Sequence, residues 1–295
     1  MRSPLKLAAL AVTLLLVPLT LVANADTVTP SLTHVVRTSD WTPPSPDPMG
    51  LTFRPKTKTI FVVDSEVEET PYWNGTNIWE MKTDGTIVNK GDTIKFSVEP
   101  ADIAYAPTSR HFFFVDDDQD KVFNVGMGKD HKIGTPDDKV KSFSTAAFGS
   151  RDAEGLGFGA GALFITDGVG QFVFRLSPGP NHVFDGVAPE GDDTVVHFGT
   201  VPLGLNDPED VDFNRTSKHL FIVSRLDDIV AETTKAGTLV RTFDLSGSQI
   251  LQPGGIALAP GTDGSVKALY VADRGYDNNL HPNENDGRIF EFKRA

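Results

Sequence analysis

A module of two short strands joined by a polar turn recurs five times along this chain, and the recurrence decides its fold class. Each copy opens with a turn and continues through an alternating strand, a polar tip and a second apolar strand. The copies start about 45 to 55 residues apart, which is the spacing of β-propeller blades. In chain order they read DPMGLTFRPKTKTIFVVDS, EPADIAYAPTSRHFFFVDD, DAEGLGFGAGALFITDG, DPEDVDFNRTSKHLFIVSR and QPGGIALAPGTDGSVKALYVADR.

A third strand follows each module, and a fourth strand follows each of the first four. These strands are rich in Val, Ile, Phe and Thr and alternate with period two, and no segment after the first 25 residues has a helical period. The fifth module ends at RIFEFKRA without a fourth strand, whereas LTHVVRTSDW, residues 32–41, has that form before the first module. The sequence therefore predicts an all-β, single β-propeller of five four-stranded blades, closed by an N-terminal strand that completes the last blade. Six blades is the alternative.

The first 25 residues are typical of an export signal. Arg2 and Lys6 flank the start of an apolar run, and Ala23-Asn24-Ala25 places small residues at the cleavage positions. The run is about 16 residues long, short for a membrane-spanning helix, so a retained anchor is the alternative. We expect residues 1–25 to be a signal peptide and residues 26–295 to be one domain without a membrane span. The protein is then secreted or periplasmic.

The chain has no cysteine and a formal net charge of −13. An exported chain without disulfides depends on its core or on bound metal for stability. Its negative charge makes nucleic acid and anionic membrane surfaces poor partners, and extracellular calcium can fill weak carboxylate sites. We expect a monomer whose ligand is a small molecule, a carbohydrate or a protein.

Propeller topology sorts the acidic side chains between two faces. In each blade, the loop leading into strand one and the loop joining strands two and three lie on one face, called here the upper face. These loops converge on the axis, where like charges repel unless a cation or an arginine neutralises them. Oxygen ligands favour a hard cation, and calcium is the predicted cofactor. The metal ligands predicted on this face are Asp116, Glu154, Asp167, Glu209, Asp273, Asp277, Asn279 and Asp286.

Structural roles compete with ligation for several acids. Asp47 and Asp207 each precede a proline, and the turn role, in which Asp bonds nearby backbone, is favoured for both. Glu154 and Glu209 occupy equivalent positions in adjacent blades and are the leading functional pair. Aspartates also end strand two, where they either close the hairpin or bind metal: Asp64, Asp116, Asp167 and Asp273.

Two long loops on the upper face carry further candidates. The loop DSEVEETPYWNGTN supplies the predicted ligand-binding residues Asp64, Glu66, Tyr72 and Trp73. The two aromatic rings of this loop are of the kind that stacks on a sugar or an aromatic ligand. The loop DRGYDNNLHPNENDGR is dense in Asp, Asn and Glu oxygens without matching the EF-hand spacing, and we predict a calcium site there.

Two related hairpins lie on the opposite, lower face, in blades two and three. They read GMGKDHKIGTPDDKV and GPNHVFDGVAPEGDDTV, and share a Gly, an Asp or Asn before His, a bend and an Asp-Asp pair. Either they are local calcium sites, or they are polar turns that use the backbone tolerance of Asn and Asp. The predicted ligands are Asp130, Asp138, Asn181 and Asp193.

The repeated modules resemble those of NHL-type and esterase-like-phytase-type bacterial propellers, in which a PxGLxF…LFVVD pattern recurs. The segments VVDSEVEE, GPNHVFDG…GDDTV and DRGYDNN…PNENDGRIFEF are similar to a group of exported bacterial propellers. The resemblance covers the whole chain after residue 25 and implies the fold. It implies activity only loosely, because propellers host many unrelated functions.

Two functions remain after motif inspection, since the sequence has no HExxH, GxSxG or P-loop pattern. The favoured one is a non-catalytic calcium-binding propeller that binds its ligand at the acidic upper face, around the channel. The alternative, motivated by the resemblance, is a calcium-dependent hydrolase of a phosphoester or lactone. In that hypothesis Glu154, Glu209 and Asp residues hold the metal, which polarises the substrate oxygen and lowers the pKa of bound water. Arg225 and Arg274 then neutralise the developing anion.

Overall fold

The computed structural model describes residues 25–294, which form five sheets of the predicted blade type. The predicted signal peptide lies outside the described residues, apart from Ala25. Helical segments in the described range are short 3-10 turns, Thr38–Asp40, Val67–Glu69, Ala146–Phe148 and Val201–Leu203. No helix in this range has the length and hydropathy needed to cross a bilayer. The all-β, five-bladed propeller prediction is confirmed.

Strands are numbered in chain order, and each blade starts with its inner strand. Blade 1 contains β3 (Pro48–Arg54), β4 (Thr59–Asp64), β5 (Ile78–Lys82) and β6 (Ile87–Gly91). Blade 2 contains β7 (Asp102–Ala106), β8 (His111–Asp116), β9 (Lys121–Gly126) and β10 (Lys139–Ser144). Blade 3 contains β11 (Ala153–Gly159), β12 (Ala162–Asp167), β13 (Phe172–Ser177) and β14 (Thr194–Gly199). Blade 4 contains β15 (Pro208–Phe213), β16 (Leu220–Ser224), β17 (Ile229–Thr233) and β18 (Leu239–Asp244). Blade 5 contains β19 (Pro253–Ala259), β20 (Ala268–Asp273) and β21 (Arg288–Lys293).

The N-terminal segment closes the ring as predicted. Strand β2 (Ser31–Arg37) pairs antiparallel with β21 and is the outer strand of blade 5. It ends earlier than the predicted residue 41, because a 3-10 turn starts at Thr38. The sequence did not predict β1 (Asp26–Val28), which pairs parallel with β18 and gives blade 4 a fifth strand.

Packing between neighbouring sheets supplies the core. The five apolar clusters each join two adjacent blades, so both faces of every blade pack against a neighbouring blade. Aromatic pairs tighten these contacts: Phe61 of blade 1 meets Phe112 of blade 2 edge-on, with ring centroids 4.8 Å apart. This burial, rather than disulfides, stabilises a chain without cysteine.

Two buried aspartates link the inner strands of different blades. Asp102 of β7 accepts a hydrogen bond from Leu156 N in blade 3, and Asp210 of β15 accepts one from Ile256 N in blade 5 over 2.6 Å. Burial and then repulsion by Asp210 raise the pKa of Asp102 well above its usual value. Gly50 makes room for Asp102, since a methyl group on it would collide with that side chain. The openings of the channel on the two faces are called the upper and lower mouths.

Candidate functional site at the upper mouth

Carboxylates of blades 3 and 4 converge where the channel opens on the upper face. A methyl group placed on Gly168 would lie 3.0 Å from Asp152 Oδ2, 3.3 Å from Asp207 Oδ1 and 3.4 Å from Glu154 Cγ. Glu209 adjoins this group and repels the charge of Glu154. These four acids are called the acidic mouth. The structure thus brings the predicted pair Glu154 and Glu209 together, beside two acids that were not predicted as ligands.

Arg225 neutralises part of the acidic mouth. Its Nε donates to Asp207 Oδ2 over 2.9 Å, and its Nη2 lies 2.8 Å from the same oxygen. The Nε is also 3.3 Å from Glu209 Oε1. Asp207 therefore forms an ion pair with Arg225, a partner that the favoured turn interpretation did not include. Arg225 remains 35% exposed at its side chain, within reach of a ligand.

Arg274 holds a second carboxylate cluster next to the first. This buried guanidinium donates from Nε to Asp47 Oδ1 over 2.6 Å and from Nη2 to Glu66 Oε1. Asp277 Oδ2 lies 3.9 Å from Nη2. Oxygens of the three acids all lie within 4.8 Å of one another, close enough for one ion. Because the guanidinium already bonds two of them, a metal here would have to compete with Arg274.

Burial shifts Glu154 and Glu209 of the acidic mouth, and Asp47 and Glu66 of the second cluster, toward their protonated forms. Desolvation raises the pKa of Glu209 to about 8, against the opposing effect of Arg225, and raises the pKa of Glu66 to about 7. Desolvation and then repulsion by Glu209 raise the pKa of Glu154 well above its usual value. A bound cation stabilises the charged form of such buried carboxyl groups and so can replace their protons.

Further acids ring the upper mouth on the side of blades 1 and 2. Both carboxylate oxygens of Glu68 are buried without a hydrogen-bond partner among the described residues, and burial raises its pKa to about 7. Burial and a hydrogen bond with Asp118 raise the pKa of Glu99 to about 8. Asp117 repels Glu154, and its own pKa is raised by burial to about 6. None was nominated as a ligand, although each lies in an upper-face loop.

The aspartates that end strand two close their hairpins. Ser45, Ser97 and Ser150 donate to Asp64, Asp116 and Asp167, over 2.6, 2.7 and 2.6 Å. In blade 5, Asp273 accepts from Leu251 N and Gln252 N and pairs with Arg288 over 2.6 Å. These bonds give each carboxylate a structural role, and metal binding by Asp116, Asp167 and Asp273 stays a prediction.

The two long upper-face loops pack against each other. Tyr72 Oη of the first loop donates to Asn283 O of the second over 2.8 Å, and Asn279 N donates to Glu66 Oε2 over 2.8 Å. Trp73 is half-buried beside Tyr72. In the second loop Asp286 accepts from Tyr276 N and is not part of the cluster formed by Asp47, Glu66 and Asp277. Ligand stacking by the two aromatic residues stays a prediction.

The lower-face hairpin of blade 3 has a carboxylate cluster. Oxygens of Asp185, Asp192 and Asp193 lie within 4.8 Å of one another. Asp193 also accepts bonds from backbone N–H groups, including Gly186 N over 2.9 Å, and Asn181 Nδ2 donates to Asp185 over 2.7 Å.

The matching hairpin of blade 2 has a smaller set of acids. Asp138 Oδ2 accepts from Gly134 N over 2.8 Å, while its Oδ1 is buried without a partner among the described residues. Asp130 accepts from Lys132 N over 2.9 Å. Both hairpins are therefore backbone-bonded turns, and their calcium binding stays a prediction.

Comparison with known proteins supports the architecture. A scan against known protein families finds no match, and a search of curated proteins finds none. Glutaminyl cyclase of Myxococcus xanthus superposes with a TM-score of 0.56 at 11% identity, over 92% of this chain and 98% of that chain. A luciferin-regenerating enzyme gives 0.51 at 12% identity, over 89% and 95%. Regucalcin of Agrobacterium tumefaciens, a calcium-binding protein, gives 0.50 at 13% identity, over 92% and 97%. At these identities the likeness shows the propeller fold alone, and the NHL-type or phytase-like resemblance stays a prediction.

Proposed function

We propose that this protein is an exported calcium-binding propeller that binds a polar ligand at the acidic mouth. The observation that carries the proposal is the convergence of Asp152, Glu154 and Asp207 around Gly168, with Glu209 adjacent. Arg225 offsets one charge of this group, and Arg274 is bonded to other acids. A bound cation would replace the protons that burial and repulsion keep on Glu154 and Glu209.

The donor set suits calcium. It consists of carboxylate oxygens, which hard cations prefer, and it combines side chains from two blades. Glu154 accepts no hydrogen bond from the described residues, so its carboxylate is free to coordinate. Regucalcin, which has a similar fold, is a calcium-binding protein, and this supports the choice of ion. We place the ligand above the ion, where the exposed guanidinium of Arg225 can bind an anionic or hydroxyl group.

Calcium titration by isothermal calorimetry tests the proposal. We expect wild-type protein to bind calcium with a Kd between about 10⁻⁷ and 10⁻³ M, the range spanned by sensor and extracellular sites. Glu154→Gln is expected to weaken calcium binding about tenfold or more, because it removes a charged oxygen ligand. A tenfold change corresponds to about 1.4 kcal/mol of binding free energy. Asp263→Asn, the same loss of one carboxylate charge in an exposed turn outside the predicted calcium sites, serves as the control. Equal affinity of the Glu154 variant and the wild type would contradict the site.

One observation favours a calcium-dependent hydrolase as the second candidate. The pKa of Glu209 is raised to about 8, so this carboxyl group holds a proton near neutral pH. Its Oε1 lies 3.3 Å from Nε of Arg225. A protonated carboxyl group can transfer that proton to a leaving oxygen, and the guanidinium can stabilise the anion that forms. In this candidate Glu154 and Asp152 would hold the calcium while Glu209 stays outside the coordination sphere, and the ion would polarise the scissile group of a phosphoester or lactone.

Turnover of a phosphoester and lactone panel tests this second candidate. We expect Glu209→Gln to lower kcat by about 100-fold or more, the usual contribution of a general acid, while the melting temperature stays near that of the wild type. Arg151→Gln, at an exposed arginine of the same face, is the matched upper-face control. A wild-type protein that turns over no member of the panel in millimolar calcium leaves the binding function alone.

A further inference from the structure

The lower mouth of the channel holds a cavity that the acidic mouth does not use. Its volume is about 450 Å³, within the range of sites for small organic molecules. Residues from all five blades line it, so it lies on the propeller axis. None of the four acids of the acidic mouth lines it.

The walls of this cavity are aromatic and aliphatic. Phe53, Phe158 and Leu258 are half-buried, and each presents part of its side chain to the cavity. Phe158 is held in place by Phe113, with which it stacks at a centroid distance of 6.2 Å and an interplanar angle of 3°. Val266 is 82% exposed at the rim. Walls of this kind favour a flat apolar body over a fully hydrated polar ligand.

The charges around the cavity have the opposite sign to the protein as a whole. The chain carries 40 acidic and 27 basic side chains, yet the cavity is lined by Arg215, Lys267 and Arg294 against a single carboxylate, Asp212. Asp212 already accepts hydrogen bonds from Leu258 N over 2.8 Å and from Phe213 N over 2.6 Å.

The three cations make few bonds of their own. Within the described residues, none of Arg215, Lys267 and Arg294 forms an ion pair with an acid within 4.0 Å. Arg215 makes one long contact, 3.5 Å from Nη2 to Tyr105 O. Arg294 makes one of 3.4 Å to Lys267 O and lies over the ring of Phe221, 4.8 Å from its centroid. Asp212 attracts both arginines, and Glu232 attracts Arg294, beyond ion-pair distance. Three cations against one lining carboxylate, beside an apolar surface, fit a ligand that brings its own negative charge.

We propose that the lower mouth is a second binding site, for a small organic anion of the aromatic carboxylate class. The ring of the ligand packs between Phe158, Phe53 and Leu258. Its carboxylate faces Arg215 and Lys267 at the rim. This site is independent of calcium, because no acid of the upper mouth contributes to it.

Calorimetric titration with 2-naphthoate, and with 2-naphthalenemethanol as the neutral analogue of the same shape, tests the proposal. We expect the carboxylate to bind at least about tenfold more tightly than the alcohol, a difference that one charge-assisted pair supplies. Arg215→Glu and Lys267→Glu, both at exposed side chains, are each expected to weaken naphthoate binding about tenfold or more. Lys141→Glu, the same charge change on the outer strand β10, is expected to bind as the wild type does.

A blocking variant separates the cavity from general surface charge. Thr216→Trp keeps all three cations but fills the opening, since Thr216 is exposed and lines the cavity, and it is expected to abolish binding. The proposal is overturned if naphthoate does not bind at millimolar concentration, if the alcohol binds equally well, or if Thr216→Trp binds like the wild type. Failure here leaves the calcium titration of Glu154→Gln unaffected, so the two proposals fail separately.

Discussion

Replacing Val36 by Asp is expected to lower the free energy of unfolding by about 3 to 5 kcal/mol, through the lost apolar side chain and the unpaired buried charge. Val36 lies on β2, the strand that closes the ring, and is 6% exposed. Val36 belongs to the apolar cluster between blades 5 and 1. It packs closely on Gly85 of blade 1, because a methyl group on Gly85 would lie 2.6 Å from Cγ1 of Val36. A charge at this point separates the first and last blades, so the loss affects the whole ring.

Denaturant unfolding followed by tryptophan fluorescence measures this loss. Leu32→Asp is the matched control, because Leu32 lies on the same strand but is 48% exposed, and we expect a change within about 0.5 kcal/mol. Similar stabilities for the two variants would show that β2 does not close the propeller.

The fold could be predicted from the sequence because a propeller repeats its local pattern. Each module encodes its own hairpin, and the missing strand of the fifth module identifies the N-terminal segment as its substitute. The strand β1 was not predicted, since three residues carry no measurable alternation and their parallel pairing with β18 depends on where β2 directs the chain.

The candidate site was only partly predictable. Loop order places acids on one face, and so the proximity of Glu154 and Glu209 followed from topology. The partners of each carboxylate depend on distances of a few ångströms between residues far apart in sequence. Asp47 pairs with Arg274, 227 positions later, and no local pattern encodes such a contact. The lower cavity was missed for the same reason, because its cations and rings come from separate blades.

Raising the pH is expected to destabilise the calcium-free protein, and calcium is expected to reverse that loss. Burial raises the pKa of Glu209 to about 8 and of Asp210 to about 7. The unfolded chain releases these protons near pH 4, whereas the folded protein keeps them, so the folded state binds more protons between about pH 4 and 8. Stability contributed by these groups is therefore greatest at low pH and falls as the pH rises, by at most about 1.4 kcal/mol per pH unit for each group.

Calcium changes this dependence because it binds the deprotonated carboxylates of the acidic mouth. Its affinity should rise with pH, and protons should be released on binding. Thermal melts between about pH 5 and pH 8, with and without millimolar calcium, should show the largest gain in melting temperature at the highest pH.

Asp210→Asn provides the internal control, since Asp210 lies inside the channel, where it bonds Ile256 N, and titrates without contacting the ion. This variant should lose part of the pH dependence in calcium-free buffer and keep the full response to calcium. A calcium-free protein that gains stability across this range would contradict the raised pKa values, and a calcium response that is independent of pH would place the ion away from Glu154 and Glu209.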